Sequence, residues 1–174
     1  MHPAALPIDA LLAHTRERVT KRTGPGGQHR NKVQTAVVLV HEPTGISAEA
    51  SERRSQQENR QVSIRRLRLR LALEHRAPAL AGPSPLWQSR VRGGRLVVAA
   101  THDDYPALVA EAIDQLAAQR LSMPATATLL GVSASQLAGL FRKEPQAWTV
   151  LIGSEVLQAC RRSSSLCTIS GGRR

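Results

Sequence analysis

Residues 24–32 read Gly24-Pro25-Gly26-Gly27-Gln28-His29-Arg30-Asn31-Lys32, a glycine-rich stretch that presents one glutamine inside a basic frame. Adjacent glycines adopt backbone dihedrals closed to other residues and leave room for a partner to approach the main chain. Gln28 at such a tip offers an amide side chain and an unobstructed backbone N–H. Neither group is a strong acid, base or nucleophile in water. What the tip can do is form hydrogen bonds deep inside a negatively charged surrounding. His29 invites a general-base reading, but a lone histidine is more often a supporting or RNA-contacting residue. No Ser/His/Asp set, carboxylate pair or metal-ligand cluster is apparent in the sequence. The pattern therefore suits a tip that completes an active site built by a partner. No metal and no cofactor is expected.

Charge identifies the kind of partner. The net charge is +11 and the pI about 11.4, which calls for a polyanion. Residues 1–76 hold 14 Lys/Arg against 7 Asp/Glu, residues 77–160 hold 6 against 6, and Arg161, Arg162, Arg173 and Arg174 follow with no acid. Positive charge thus travels with the glycine stretch and with the tail. Arg22, Arg30, Lys32, Arg53, Arg54 and Arg60 are candidate phosphate contacts, and His29 and Asn31 complete the candidate RNA-binding set. Arg65, Arg66, Arg68 and Arg70 fit a solvated helix face equally well. All aromatics (Trp87, Tyr105, Phe141, Trp148) come after residue 77, so the basic region has no platform for stacking bases. It must bind backbone and shape.

These residues need a frame. Residues 8–14 form a short leading helix by pattern, and Arg18–Arg22 reads as a strand running into the glycine stretch. Thr35–Val40 is β-branched and apolar, Pro43-Thr44-Gly45 supplies turn chemistry, and Ile46–Ala50 alternates as a half-buried partner strand. Ser55 and Glu58 stand at capping-box spacing, so a helix is expected to start there and run to about His75, although Leu67–Leu71 also alternates like a strand.

Beyond it, residues 77–85 carry three prolines and a glycine and mark a linker. A small mostly helical module is expected over 86–160. It would hold an extended segment at Leu96–Ala100, a helix opening at Asp104-Tyr105-Pro106, and a helix-turn-helix-like segment over about 124–143. In that segment Ser133 caps the second helix, which is too poor in basic residues for a sequence-specific DNA reader and better suited to a structural or protein-docking role. Residues 161–174 form a basic tail expected to be disordered. Cys160 and Cys167 have no metal spacing, and two thiols in a reducing cytosol are favoured over a disulfide. No secretory leader and no apolar run near the roughly 20 residues of a membrane span is evident. A cytoplasmic monomer without membrane association is the expectation.

Gly24–Val33, then Thr35-Ala36-Val37, the turn His41-Glu42-Pro43-Thr44-Gly45, Ser55-Gln56 and Asn59 together resemble the catalytic (GGQ) domain of prokaryotic-type class I peptide-chain release factors. The tripeptide Gly-Gly-Gln alone would arise by chance in roughly 3% of chains this long. Five motifs in order make the resemblance specific, and it covers residues 16–76. It implies an α+β fold over residues 1–76: a short β-sheet packed by a long helix, with a flexible glycine loop. It implies that Gly26, Gly27 and Gln28 form a catalytic tip that enters the ribosomal peptidyl-transferase centre. There the Gln28 N–H would stabilise the oxyanion, while its side chain places water for attack on the peptidyl-tRNA ester. Gln28 would be open to N5-methylation by a glutamine methyltransferase. The sequence shows no codon-recognition region, so the resemblance is nearest to small ribosome-rescue hydrolases, from which the short arginine tail and neutral helical module depart. The alternatives are stop-codon-dependent release with a separate partner and a non-enzymatic RNA- or DNA-binding regulator.

Overall fold

In a computed structural model of the chain, residues 1–21, 35–144, 146 and 149 are described, and two compact units divide it at Arg76/Ala77. The first unit opens with a 3-10 turn at Pro3–Ala5 and a short helix, α1 (Ile8–Ala13). A three-stranded antiparallel sheet follows in the order β1 (Thr15–Thr20), β2 (Ala36–His41), β3 (Ser47–Ala50). β1 begins at Thr15, earlier than the expected Arg18, because its pairing with β2 runs from Thr20↔Ala36 to Thr15↔His41. Charged, exposed Arg16, Glu17 and Arg18 hide this edge strand from a hydrophobic pattern. Gly45, with φ +71°, lets the chain turn from β2 into β3, where a side chain would be strained.

The long helix, α2 (Gln56–Glu74), begins where the Ser55 side chain accepts the Glu58 N–H and ends at His75. The cap, length and helical spacing prevail over the strand-like alternation of Leu67–Leu71. Asn59, Ser63, Ile64, Leu67 and Leu71 lie at helical intervals and are buried, facing β2 and β3, whose Val37, Leu39, Ala48 and Ala50 are buried too. Each fully buried leucine here stabilises the unit by about 1.5–3 kcal/mol. Mixed helices and an antiparallel sheet make the fold α+β.

The second unit centres on α4 (Tyr105–Ala118), which comes after α3 (Pro85–Arg90) and a two-stranded hairpin of β4 (Val91–Arg92) and β5 (Arg95–Leu96). α5 (Met123–Leu129) and α6 (Ala134–Arg142) complete it, joined through Gly131 at φ +68°, with Ser133 capping α6. Between Tyr105 and Leu116 every residue of α4 except Glu111 is buried, the signature of a central helix. The Trp87 indole N–H donates to the Leu130 carbonyl at 2.8 Å and the Tyr105 hydroxyl to the Leu140 carbonyl at 2.7 Å, which ties α3 and α4 to the ends of α5 and α6. Two expectations differ here. α3 occupies the end of the proline-rich stretch, because Ser84 caps it and Pro85 sits in its first turn, where a missing N–H costs nothing. The expected extended segment at Leu96–Ala100 contributes only Leu96 to a strand, since its one partner is the short β4. The expected tail at 161–174, with Cys160 and Cys167, lies outside the described residues.

Candidate functional site

Gly26, Gly27 and Gln28, together with Arg22, His29, Arg30, Asn31 and Lys32, lie outside the described residues. The structure describes the frame on either side of them. The segment connects β1 to β2, whose nearest ends, Thr20 and Ala36, face each other as the last register pair.

Both stems are tied to the start of α2 by consecutive residues. Asn59, fully buried, donates from Nδ2 to the Thr35 carbonyl at 2.6 Å and to the Arg53 carbonyl at 3.0 Å. Its Oδ1 accepts the Arg53 N–H at 2.9 Å. Two carbonyls and one N–H around the amide leave only one orientation for it. Arg60 donates from Nε to Glu17 Oε2 on β1 at 2.9 Å. One turn later the Ser63 hydroxyl donates to the Val37 carbonyl at 2.9 Å. The residue that leads into β2 and the loop at Ser51–Ser55 thus share a single buried amide.

This arrangement sorts the candidate arginines. Arg53 and Arg54 are exposed, and the backbone of Arg53 is fixed by Asn59, so its side chain projects from a rigid base. Arg60 is held in its ion pair with Glu17, so it has a bridging contact within the fold. Of the α2 arginines that the sequence left between solvent and RNA, Arg66, Arg68 and Arg70 turn to the sheet and the N-terminus. Arg66 donates to the Glu49 carbonyl at 2.7 Å and pairs with Glu52 at 2.6 Å. That bond, ahead of other causes, holds the Glu52 carboxyl below its usual range. Arg70 donates to the Ser47 carbonyl and pairs with Glu74 at 2.6 Å. Arg68 is buried and donates twice to the Ala4 carbonyl, at 3.2 and 3.0 Å.

Asn59 is the positioning residue that sequence reading underused. Its place a turn after Ser55-Gln56 is visible in the sequence, but its three partners are set only when β2 meets α2. Among the described residues no group of three or more His, Cys, Asp or Glu could hold a metal, and no helix is long and apolar enough to cross a membrane. The described frame supplies rigid stems and exposed positive charge beside them.

Comparison with known proteins agrees with this geometry. Residues 8–82 match the RF-1 domain family. Peptide chain release factor 1 of Acidiphilium cryptum (strain JF-5) is 43% identical over 94 residues, which is 53% of this chain and 27% of that protein. Peptide chain release factor 1-like, mitochondrial, of Mus musculus is 49% identical over 57 residues, 32% of this chain and 15% of the relative. Peptide chain release factor 2 of Variovorax paradoxus (strain S110) is 43% identical over 67 residues, 38% of this chain and 18% of the relative. The chain therefore spans 27% or less of the length of these relatives. Motif order and the α+β frame agree with these matches: residues 8–82 match the RF-1 domain, and the chain is similar over part of its length to peptide chain release factors.

Proposed function

We propose that the chain promotes ribosome-dependent hydrolysis of the peptidyl-tRNA ester without a stop codon, as a rescue activity. One observation carries the reading: Gly26-Gly27-Gln28 falls in the β1–β2 connection of an RF-1 domain whose two stems are pinned to α2 by Asn59 and Arg60. A tip that delivers hydrogen bonds over a distance needs such a fixed base.

In this reading the tip enters the peptidyl-transferase centre of the large subunit. The Gln28 backbone N–H meets the oxyanion as water attacks the ester carbon, a donor effect of about 3 kcal/mol. Its side chain orders the water and excludes larger nucleophiles, so the peptide leaves as a free acid and the tRNA keeps its 3′ hydroxyl. Gly26 and Gly27 keep the main chain bare enough for close approach. Arg22, Arg30, Lys32, Arg53 and Arg54, with His29 and Asn31, contact ribosomal RNA. N5-methylation of Gln28 by a glutamine methyltransferase fits the same tip. The domain division belongs to this proposal too: a catalytic domain over 1–76, then a helical module that supplies further contacts.

Purified protein added to bacterial ribosomes stalled on a truncated message is expected to release the peptide. Gln28→Ala and Gly27→Ala are expected to abolish release while leaving ribosome binding intact. Equal release by both variants would overturn the reading. Comparison of stop, sense and empty A sites separates codon-independent release from stop-codon release with a partner.

A further inference from the structure

The second unit carries equal numbers of acidic and basic residues up to Cys160, yet its positive charge is not evenly compensated. The hairpin β4–β5 concentrates it. Arg90, at the base, is neutralised: its guanidinium donates to Asp104 Oδ2 from Nε at 2.9 Å, with His102 beside it. Arg92 and Arg95, at the tip, are exposed, and neither side chain has a hydrogen-bond or acidic partner among the described residues.

These two arginines are directly opposed in register, as the last pair before the Gly93-Gly94 turn. Opposed residues of a β-pair share one face with their Cβ atoms about 5 Å apart. Like charges in that position repel, and no acidic side chain among the described residues offsets the repulsion. Gly93 and Gly94, with φ +56° and +71°, form the tight two-residue turn that holds the pair together. The hairpin is also fixed to the helical body. The Leu96 N–H donates to Gln136 Oε1 on α6 at 2.6 Å, the Val97 N–H to the Arg90 carbonyl at 2.9 Å, and Lys143 Nζ to the Val98 carbonyl at 2.6 Å. A rigid mount for two unrelieved guanidinium groups on one face suits a bound phosphate: arginine forks match phosphate oxygens, and a phosphate between them removes the repulsion.

We propose that the β4–β5 hairpin is an RNA-backbone contact in which Arg92 and Arg95 grip a phosphodiester of ribosomal RNA. This rests on the ribosome-directed reading above. It gives the second unit an anchoring role separate from the catalytic tip, through the hairpin and not through α6, whose Gln136 is occupied by Leu96.

The test uses the full chain and bacterial large subunits, with binding measured between 50 and 300 mM KCl on the order of the range where phosphate contacts show their salt dependence. Arg92→Ala/Arg95→Ala is expected to weaken binding about tenfold and to flatten the slope of log affinity against log salt by about 0.7–0.9, the share of one phosphate. Arg95→Glu gives an internal control. It places opposite charges across the hairpin, so its melting temperature should hold or rise while its binding falls. Gln28→Ala should bind as the unaltered chain does, which separates anchoring from chemistry. Unchanged affinity and slope in the double variant would overturn the proposal. So would dependence on the arginines that vanishes on deproteinised large-subunit RNA, because the partner would then be an acidic protein. Arginine-dependent binding with no peptide release supports the hairpin contact and overturns only the catalytic reading; no binding by the unaltered chain overturns both.

Discussion

Asn59 holds more of the candidate site than any other described side chain. Its amide donates to Thr35 and Arg53 and accepts from Arg53, so it is satisfied only in this arrangement. Asn59→Ala would leave two carbonyls and an N–H unpaired in a buried place, a cost of about 1–3 kcal/mol. Asn59→Asp should be worse despite its matching shape, since a carboxylate would face two carbonyl oxygens with nothing to donate. Urea midpoints for the two variants check the order, and a reversal would show that the amide does not act through these bonds. A second residue makes stability depend on pH. His2 is buried, accepts the Ala4 N–H at Nδ1 and faces the His75 carbonyl with Nε2, so its neutral form with the proton on Nε2 fits. Burial is the largest cause that pushes its pKa from 6.5 down to about 4, with the Arg76 and His75 charges adding to it against the opposing pull of the His75 carbonyl. The unfolded chain therefore binds a proton that the folded chain refuses. Stability from this group is complete above about pH 6.5 and is lost as pH falls toward about 4. Thermal melts of the chain and of His2→Ala should converge over that interval, the variant starting lower and falling less.

At the scale of elements, α2 both roofs the sheet and guards its edge. The outward carbonyls of β3 at Ser47 and Glu49 are taken by Arg70 and Arg66, one helical turn apart. An uncovered edge strand invites pairing with another chain. Arg66→Ala/Arg70→Ala is therefore expected to cost about 1–2 kcal/mol, discounted for the partial exposure of both side chains, and to promote self-association at high concentration. Arg53→Ala/Arg54→Ala should instead leave melting and particle size unchanged and weaken ribosome binding. Light scattering and binding measured on both pairs check this division, and interchangeable behaviour would refute it. The same contrast shows what sequence can disclose. The limits of α2 were legible because Ser55 and Glu58 form a local cap, and the turn at Gly131 because a glycine followed by a capping serine is also local. Which arginines of α2 turn to the sheet was not legible, because helix periodicity does not reveal where β3 ends its pairing. α3 was obscured by prolines that read as linker although Pro85 suits a first helical turn, and the short hairpin by its length: two residues per strand show no alternation. The candidate tip was legible as a motif, whereas the Asn59 clamp depends on contacts 24 residues apart in the chain.

For the molecule as a whole, the boundary between units carries the last expectation. The proline-rich stretch after Arg76 looks like a spacer, but its polar groups are tied to α4. The Ala77 N–H donates to Asp114 Oδ1 at 3.3 Å, Gln115 Nε2 donates to the Leu80 carbonyl at 2.8 Å, and the Ser84 N–H and hydroxyl donate to Glu111 at 2.6 and 2.5 Å. Asp114 and Gln115 are buried, so these bonds cannot be exchanged for water at no cost. The stretch thus serves as a strap of the second unit, and the family match running to residue 82 enters it. A fragment beginning at Ala77 should then be more stable than one beginning at Leu86 by several kcal/mol, since the shorter piece loses the Ser84 cap and leaves the Gln115 amide unpaired, at about 1–3 kcal/mol for each such loss. Urea denaturation of the two fragments measures the difference. Limited proteolysis of the intact chain should likewise spare residues 77–84, despite their lack of regular secondary structure. Equal midpoints, or rapid cleavage within that stretch, would return it to the status of a spacer.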